Sequence, residues 1–348
     1  MADGVRQAGA DPIVLPLADG GEGTLWALHR ARGGSWLAVE TVNPWGRRIT
    51  AALLHWPRDS TVVVELAQAA GWATAHRRQR APLTASTYGV GLLLRAALDT
   101  GAARVMVALG GSLTTDAGSG LMSALGVRFL DARGQVLPPG GAALADLESI
   151  DWSGLDRRLG SVQLVALTDV DNPLTGVDGA ARTFARQKGA SADDVEILEL
   201  ALCRFQEVAG GAHVASGSGT GAAGGSGAAL KLLGATVTPG SRSIMELIDF
   251  VGQLTLAQAL ITGEGRFDHQ SLHGKAPAVA LAAAQAAAKP SCLIVGKRSF
   301  ELHEEDAATF VLDLAPPQMA LPEVRRQIQG LFRQRAEQAT RWLLTSAG

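Results

Sequence analysis

Short apolar runs alternate with glycine-rich polar loops and with stretches of helical periodicity along most of the chain. The runs Ile13–Leu17, Arg104–Leu109, Val162–Leu167, Leu256–Ile261 and Cys292–Val295 predict strands. Ser35–Val42 is strand-like, NPWGRR after it is a turn, and ITAALLHW with TVVVELAQAAG form a plausible strand pair. Thr87–Thr100 places Val90, Leu93, Leu94, Ala97 and Leu98 at helical spacing, and Ser191–Val208 does the same with Ile197, Leu198, Ala201, Leu202 and Phe205. Further helices are expected at the first ten residues, at Leu25–Ala31, from Gly120, at Ala228–Leu233, and over the charged tail Pro322–Leu344, which reads as a surface helix. Strands and helices that alternate in this way argue an α/β fold. The first and last loop-bearing units are alike, and the middle is longer and less regular. Residues 1–37 plus 253–348 are therefore expected to form one domain, with residues 38–252 inserted as a second and the site in the cleft between them.

Four loops concentrate the chemistry: ADGGEGT (Ala18–Thr24), GGSLTTDAGSG (Gly110–Gly120), TDVDNPLTG (Thr168–Gly176) and TGEGRFDHQSLHGK (Thr262–Lys275). Each follows a short apolar run, which is where open α/β sheets hold ligands. Glycines Gly20, Gly21 and Gly23 allow close backbone approach, with Asp19 and Glu22 beside them. Turn chemistry with an acidic first helical turn would explain that loop equally well. Asp169 and Asp171 stand on alternate residues, so an extended backbone would point both carboxylates one way, where a cation would relieve their repulsion. An Asx-turn is the plainer alternative. Asp116 sits among Thr114, Thr115 and Ser119 and could be a helix cap. The last loop gathers Glu264, Arg266, Asp268, His269, His273 and Lys275, and its lysine precedes Ala276-Pro277 at the start of a helix, where phosphate oxygens are well received. Lys188 is a second phosphate candidate or a solvated lysine.

Composition narrows the classes. The 348 residues suffice for two domains, 47% hydrophobic content suffices for a core, and a net charge of −2 with scattered acids and bases gives nucleic acid no basic face. Cys203 and Cys292 form no CxxC pair and read as thiols of a cytoplasmic protein. The start MADGVRQAGADP lacks the charged-then-apolar pattern of a signal peptide, and no apolar stretch reaches the length of a membrane span. Familiar nucleotide motifs fail. Gly274-Lys275 and Gly296-Lys297 lack the remaining residues of a Walker A loop, and the GxGxxG at Gly219–Gly224 follows no clear strand, so an NAD-dependent oxidoreductase has little support.

In this order PLADGGEGT, VNPWGR, VVVELAQAAG, TASTYGVG, ALGGSLTTDAGSGLMSALG, DVDNPLTG, FARQKGA, GTGAAGGSG and ITGEGRFDHQSLHGKAP resemble the bacterial two-domain (type 1) glycerate kinase family, over roughly residues 1–300. The resemblance implies a discontinuous flavodoxin-like doubly wound domain with an inserted α/β domain, and phosphorylation of D-glycerate to a phosphoglycerate with ATP and Mg2+. Asp169 and Asp171 would orient Mg2+ or the acceptor hydroxyl, and Lys275 and Arg266 would offset phosphate or carboxylate charge. Glu264 and Asp268 would organise their loop. Asp19, Gly20, Gly21, Glu22, Gly23, Ser112, Asp116, Asn172 and Lys188 would contact substrate or nucleotide. The partners expected are these small molecules and, for assembly, a homodimer, with neither nucleic acid nor membrane.

Some positions depart from the family. Asn43 replaces an Asp, Thr115-Asp116-Ala117 replaces Asn-Asp-Gly, and Arg186 stands near a common Pro. Family members usually open with a strand and an Asp-Ser-Phe-Lys-Gly-type loop ahead of the helix in which this chain begins. A natural product extended upstream of Met1 by one strand–loop–helix, about 30–40 residues, is expected, with the shorter chain poorly soluble or inactive. A relic that binds glycerate or nucleotide without turnover is the alternative reading.

Overall fold

The computed structural model describes residues 1–75, 81–211, 214, 217–265, 276–297 and 309–346. They form two compact units, Ala18–Gly240 and Met1–Leu17 with Ser241–Gly348. The expected boundaries near residues 37 and 252 lie elsewhere because ADGGEGT and the helix after it, Thr24–Arg32, belong with the long middle segment.

The larger unit is built on a six-stranded sheet in the order β1-β2-β3-β4-β7-β8. The strands are β1 (Ser35–Val42), β2 (Arg48–Trp56), β3 (Thr61–Glu65), β4 (Arg104–Ala108), β7 (Gln163–Leu167) and β8 (Thr236–Thr238). β1, β2 and β3 run antiparallel, and β3, β4, β7 and β8 run parallel. The central strands TVVVE, RVMVA and QLVAL are almost wholly buried, as parallel strands covered on both faces must be. Register pairs Glu65 with Ala108 and Ala108 with Leu167, and Leu167 in turn pairs with Thr238. The carboxyl ends of four strands therefore finish level, and their loops leave side by side. A hairpin of β5 (Arg128–Leu130) and β6 (Ser149–Asp151), absent from the sequence reading, lies apart from this sheet. Helix Ala192–Val208 starts at a capping box, Ser191 with Asp194, and buries Leu198, Ala201, Leu202 and Phe205 in the core.

The smaller unit has a parallel sheet of β9 (Leu260–Glu264), β10 (Ser291–Val295) and β11 (Thr309–Asp313), with β10 in the centre. Side chains alternate across β10. Cys292 and Ile294 pack with Leu331, Ala336, Ala339 and Leu343 of helix Leu321–Ser346, and Leu293 and Val295 with Leu281 of helix Ala276–Ala286. The tail helix is thus amphipathic and docked rather than a purely surface helix. In the larger unit the strand expected over TVVVELAQAAG stops at Glu65, and Ala67–Ala70 forms a short helix. Two more expected strands differ. Ile13–Leu17 is not a strand: Pro12 and Pro16 withhold backbone donors, and Ile13 and Val14 are exposed. The strand expected at Leu256–Ile261 is Leu260–Glu264, because helix Phe250–Leu256 takes the earlier residues and leaves Leu256 in solvent.

Candidate active site

Three of the four loops meet at the level carboxyl ends of the larger sheet. The Gly20 carbonyl accepts a hydrogen bond from the Gly110 N–H at 2.8 Å, and the Gly240 N–H reaches the Thr168 carbonyl at 3.3 Å. The approach demands glycine: a Cβ on Gly110 would stand 2.4 Å from the Cα of Gly21. Asp19 is exposed and accepts from the Gly21 N–H at 3.0 Å, and Glu22 is exposed. Gly23 is the left-handed N-cap of helix Thr24–Arg32 and brings no side chain to the helix end.

That cap comes from Glu65, the last residue of β3, which sequence reasoning missed. Its Oε1 accepts from the Gly23 N–H at 3.1 Å and its Oε2 from the Leu25 N–H at 3.0 Å. Burial pushes the Glu65 carboxyl above the usual range, and these two bonds oppose the rise. A lone acid closing an otherwise apolar strand was the available signal.

In the loop after β4, the Ser112 and Asp116 side chains expected to contact substrate or nucleotide are buried. Asp116 is fully buried. Its Oδ2 accepts from the Thr87 N–H at 2.8 Å, the Thr87 hydroxyl at 2.9 Å and the Gly120 N–H at 3.3 Å, and its Oδ1 accepts from the Gly118 N–H at 3.2 Å. Desolvation raises its pKa against these donors. Asp116 is not the N-cap of helix Ser119–Ala124, which is Gly118, but its carboxylate reaches the first turn of that helix through the Gly120 N–H. The Ser112 hydroxyl is buried and accepts from the Thr114 N–H at 3.1 Å. Lys188 is not a solvated lysine. It is 5% exposed, donates to the Thr114 carbonyl at 2.6 Å, and is held down to about 8 by burial, with the Asp116 charge opposing that shift. Asp116, Ser112 and Lys188 all bond within the protein, Lys188 through one of its three N–H donors.

After β7 the chain turns at once: the Thr168 hydroxyl accepts from the Val170 N–H at 3.1 Å. Asp169 and Asp171 therefore lie beyond the strand, and their common direction does not follow from extended backbone. Asp169 is half-buried, and Asp171 is exposed and accepts from the Ser218 hydroxyl. Asn172 ties the loop together, donating to the Asp178 carbonyl at 2.8 Å and accepting at its own carbonyl from the Gly221 N–H at 2.9 Å. The buried carboxylate of Glu199 holds the far end through the Gly176 N–H at 2.6 Å. Glu264 closes β9 in the smaller unit and is half-buried. Arg266, Asp268 and Lys275 lie outside the described residues.

Among the described residues, no three His, Cys, Asp or Glu side chains gather as a metal cage. Mg2+ commonly takes only one or two carboxylates and completes its shell with water and phosphate oxygens, so the Asp169–Asp171 donor set fits a nucleotide-borne Mg2+.

A level row of parallel strands, with loops leaving together from its carboxyl end, defines a protein of the α/β class, in which ligands commonly sit at that end. The model of the glycerate kinase family matches residues 1–344, and the chain belongs to that family. It is 42% identical over 295 residues to a glycerate kinase of Bacillus subtilis (strain 168), covering 84% of this chain and 77% of that one. It is 38% identical over 272 residues to the glycerate 2-kinase of Escherichia coli (strain K12), covering 77% and 71%. A crystal structure of a Salmonella typhimurium LT2 protein named after glycerate kinase 2 superposes with a TM-score of 0.81 at 35% identity, over 99% of this chain and 92% of that one. No helix among the described residues is long and apolar enough to cross a membrane.

Proposed function

We propose that this protein transfers the γ-phosphoryl group of ATP to a hydroxyl of D-glycerate. The observation that carries the reading is the placement of the Thr168–Asn172 and Ala18–Thr24 loops at level strand ends, with exposed carboxylates of Asp171, Asp19 and Glu22 on them. Phosphoryl transfer asks for positioning and charge neutralisation more than for covalent chemistry. Asp171, exposed and steadied by Ser218, accepts the proton of the attacking hydroxyl. The hydroxyl oxygen bonds to the γ-phosphorus as the bond to the ADP oxygen breaks. Asp169 and Asp171 would hold Mg2+, which when bound offsets charge on the phosphates. Lys275 and Arg266 neutralise phosphate or the glycerate carboxylate, and Glu264 and Asp268 order their loop. A cytoplasmic setting agrees with ATP as donor and with the free thiols of Cys203 and Cys292. A coupled ADP-release assay tests the reading: ADP formation should need D-glycerate and stop when it is withheld, whereas acid-independent or absent release would refute it.

A further inference from the structure

A glycine loop at a strand's carboxyl end, running into a helix, is the usual seat of a phosphate, because free N–H groups and the helix dipole favour an anion there. The loop Ala18–Thr24 runs into a helix beside the ends of β4 and β7, but four donors at that helix end are already bonded within the protein. Glu65, fully buried at the end of β3, lays one oxygen on the Gly23 N–H at 3.1 Å and the other on the Leu25 N–H at 3.0 Å. The Thr24 N–H is bonded within the loop to the Gly21 carbonyl at 3.2 Å, and the Gly21 N–H is bonded to Asp19 at 3.0 Å. The protein thus supplies its own anion to this helix end. A phosphate there would have to displace a buried carboxylate and lie beside Asp19 and Glu22, against like charge.

The same bonds lock the loop. It is fixed to the loop after β4 through the Gly20 carbonyl and the Gly110 N–H, and to the end of β3 through Gly23, Leu25 and Glu65. Between these ties stand the exposed side chains of Asp19 and Glu22. No residue of the helix's first turn is acidic and Gly23 brings no side chain, so this lock rests on a residue some forty positions away.

We infer that Glu65 is a positioning residue that closes the helix N-terminus to phosphate and fixes the Ala18–Thr24 loop for the reaction, the nucleotide phosphates being held elsewhere. This rests on the proposed kinase activity for its kinetic part only. Glu65→Gln keeps size and one acceptor but sets an amide NH2 against a backbone N–H. Its kcat is expected to fall about tenfold or more, with the KM for ATP and the Kd for ADP within about twofold of wild type. A purely structural cap would instead lower the folded fraction and leave the kcat of the folded enzyme unchanged, which overturns the inference. A loss of ADP affinity in step with kcat overturns it as well, since the loop would then hold nucleotide. Hydrogen exchange on the unmutated protein is a second arm independent of turnover and of the variant's folding. The Gly23 and Leu25 amides should exchange slowly without ligand and be slowed no further by saturating ADP. Fast exchange without ligand, or new protection on adding ADP, contradicts the assignment. A wild-type protein without kinase activity would sink the proposed function while the exchange arm still decides the role of Glu65.

Discussion

Asp116 offers a graded test of the packing beneath the site. Its carboxylate accepts four hydrogen bonds with no solvent exposure, three on Oδ2 and one on Oδ1. In Asp116→Asn the amide nitrogen would take the Oδ1 position, because only the Gly118 N–H is stranded there, against three donors on the other side. One buried donor left unsatisfied costs roughly 1–3 kcal/mol. Asp116→Ala strands all four, and a simple sum of about 4–12 kcal/mol approaches the 5–15 kcal/mol of a typical domain. Such sums are not additive, but the order is fixed: wild type above Asn, and Asn well above Ala. Urea denaturation followed by far-UV circular dichroism measures the midpoints. Because burial raises the carboxyl's pKa, the folded protein holds that proton more tightly than the unfolded chain. The stability this gives is present below the unfolded value of 3.8 and is lost as pH rises through the raised one, so the Asn variant's deficit should shrink with rising pH over that window. An Ala variant as stable as the Asn variant, or as wild type, would refute the assignment of these four bonds.

Lys188→Met should flatten the pH dependence of stability between about 8 and 10.5. The depressed lysine stabilises the fold above its unfolded value, and that contribution, on the order of 3 kcal/mol, is lost as pH falls toward about 8; identical pH profiles for the two proteins would contradict this. Asp171→Asn should lower kcat/KM about a hundredfold or more while moving stability by only about 0.5 kcal/mol, as expected of an exposed proton acceptor. An unfolded variant whose folded fraction turns over normally would make Asp171 a turn former instead. Lys275→Ala should cost about a hundredfold in kcat/KM, on the order of 3 kcal/mol in the transition state, and Lys275→Arg should also be impaired; near-normal turnover would remove this lysine from the site.

Where local pattern decides conformation, the sequence could be read. Apolar runs without interruption became the parallel strands β3, β4 and β7, and the Ser191–Asp194 box with its helical spacing became Ala192–Val208. The loops Gly110–Gly120 and Thr168–Gly176 leave the ends of β4 and β7, where strand-then-loop reasoning put them. The failures came where long-range partners decide. Ile13–Leu17 is apolar enough for a strand, yet Pro16 within it and Pro12 before it interrupt its row of donors. Charge and loop position made Asp116 and Lys188 look like exposed groups, although both are buried and bonded to other segments: Thr87 and the start of helix Ser119–Ala124 for Asp116, Thr114 for Lys188. Glu65 went unnoticed because its partners, Gly23 and Leu25, lie far away in sequence and meet it only once β3 is in the sheet. The tail helix looked solvated because its charges outnumber the stripe of Leu331, Ala336, Ala339 and Leu343 that docks on β10.

The transfer itself is the most direct object of measurement. Wild-type protein incubated with ATP, Mg2+ and D-glycerate, and followed by 31P NMR, should lose the γ-phosphate resonance of ATP. A phosphomonoester resonance from phosphoglycerate and the resonances of ADP should grow in equal amounts. ADP accompanied only by inorganic phosphate, or an unchanged ATP spectrum, would contradict the account.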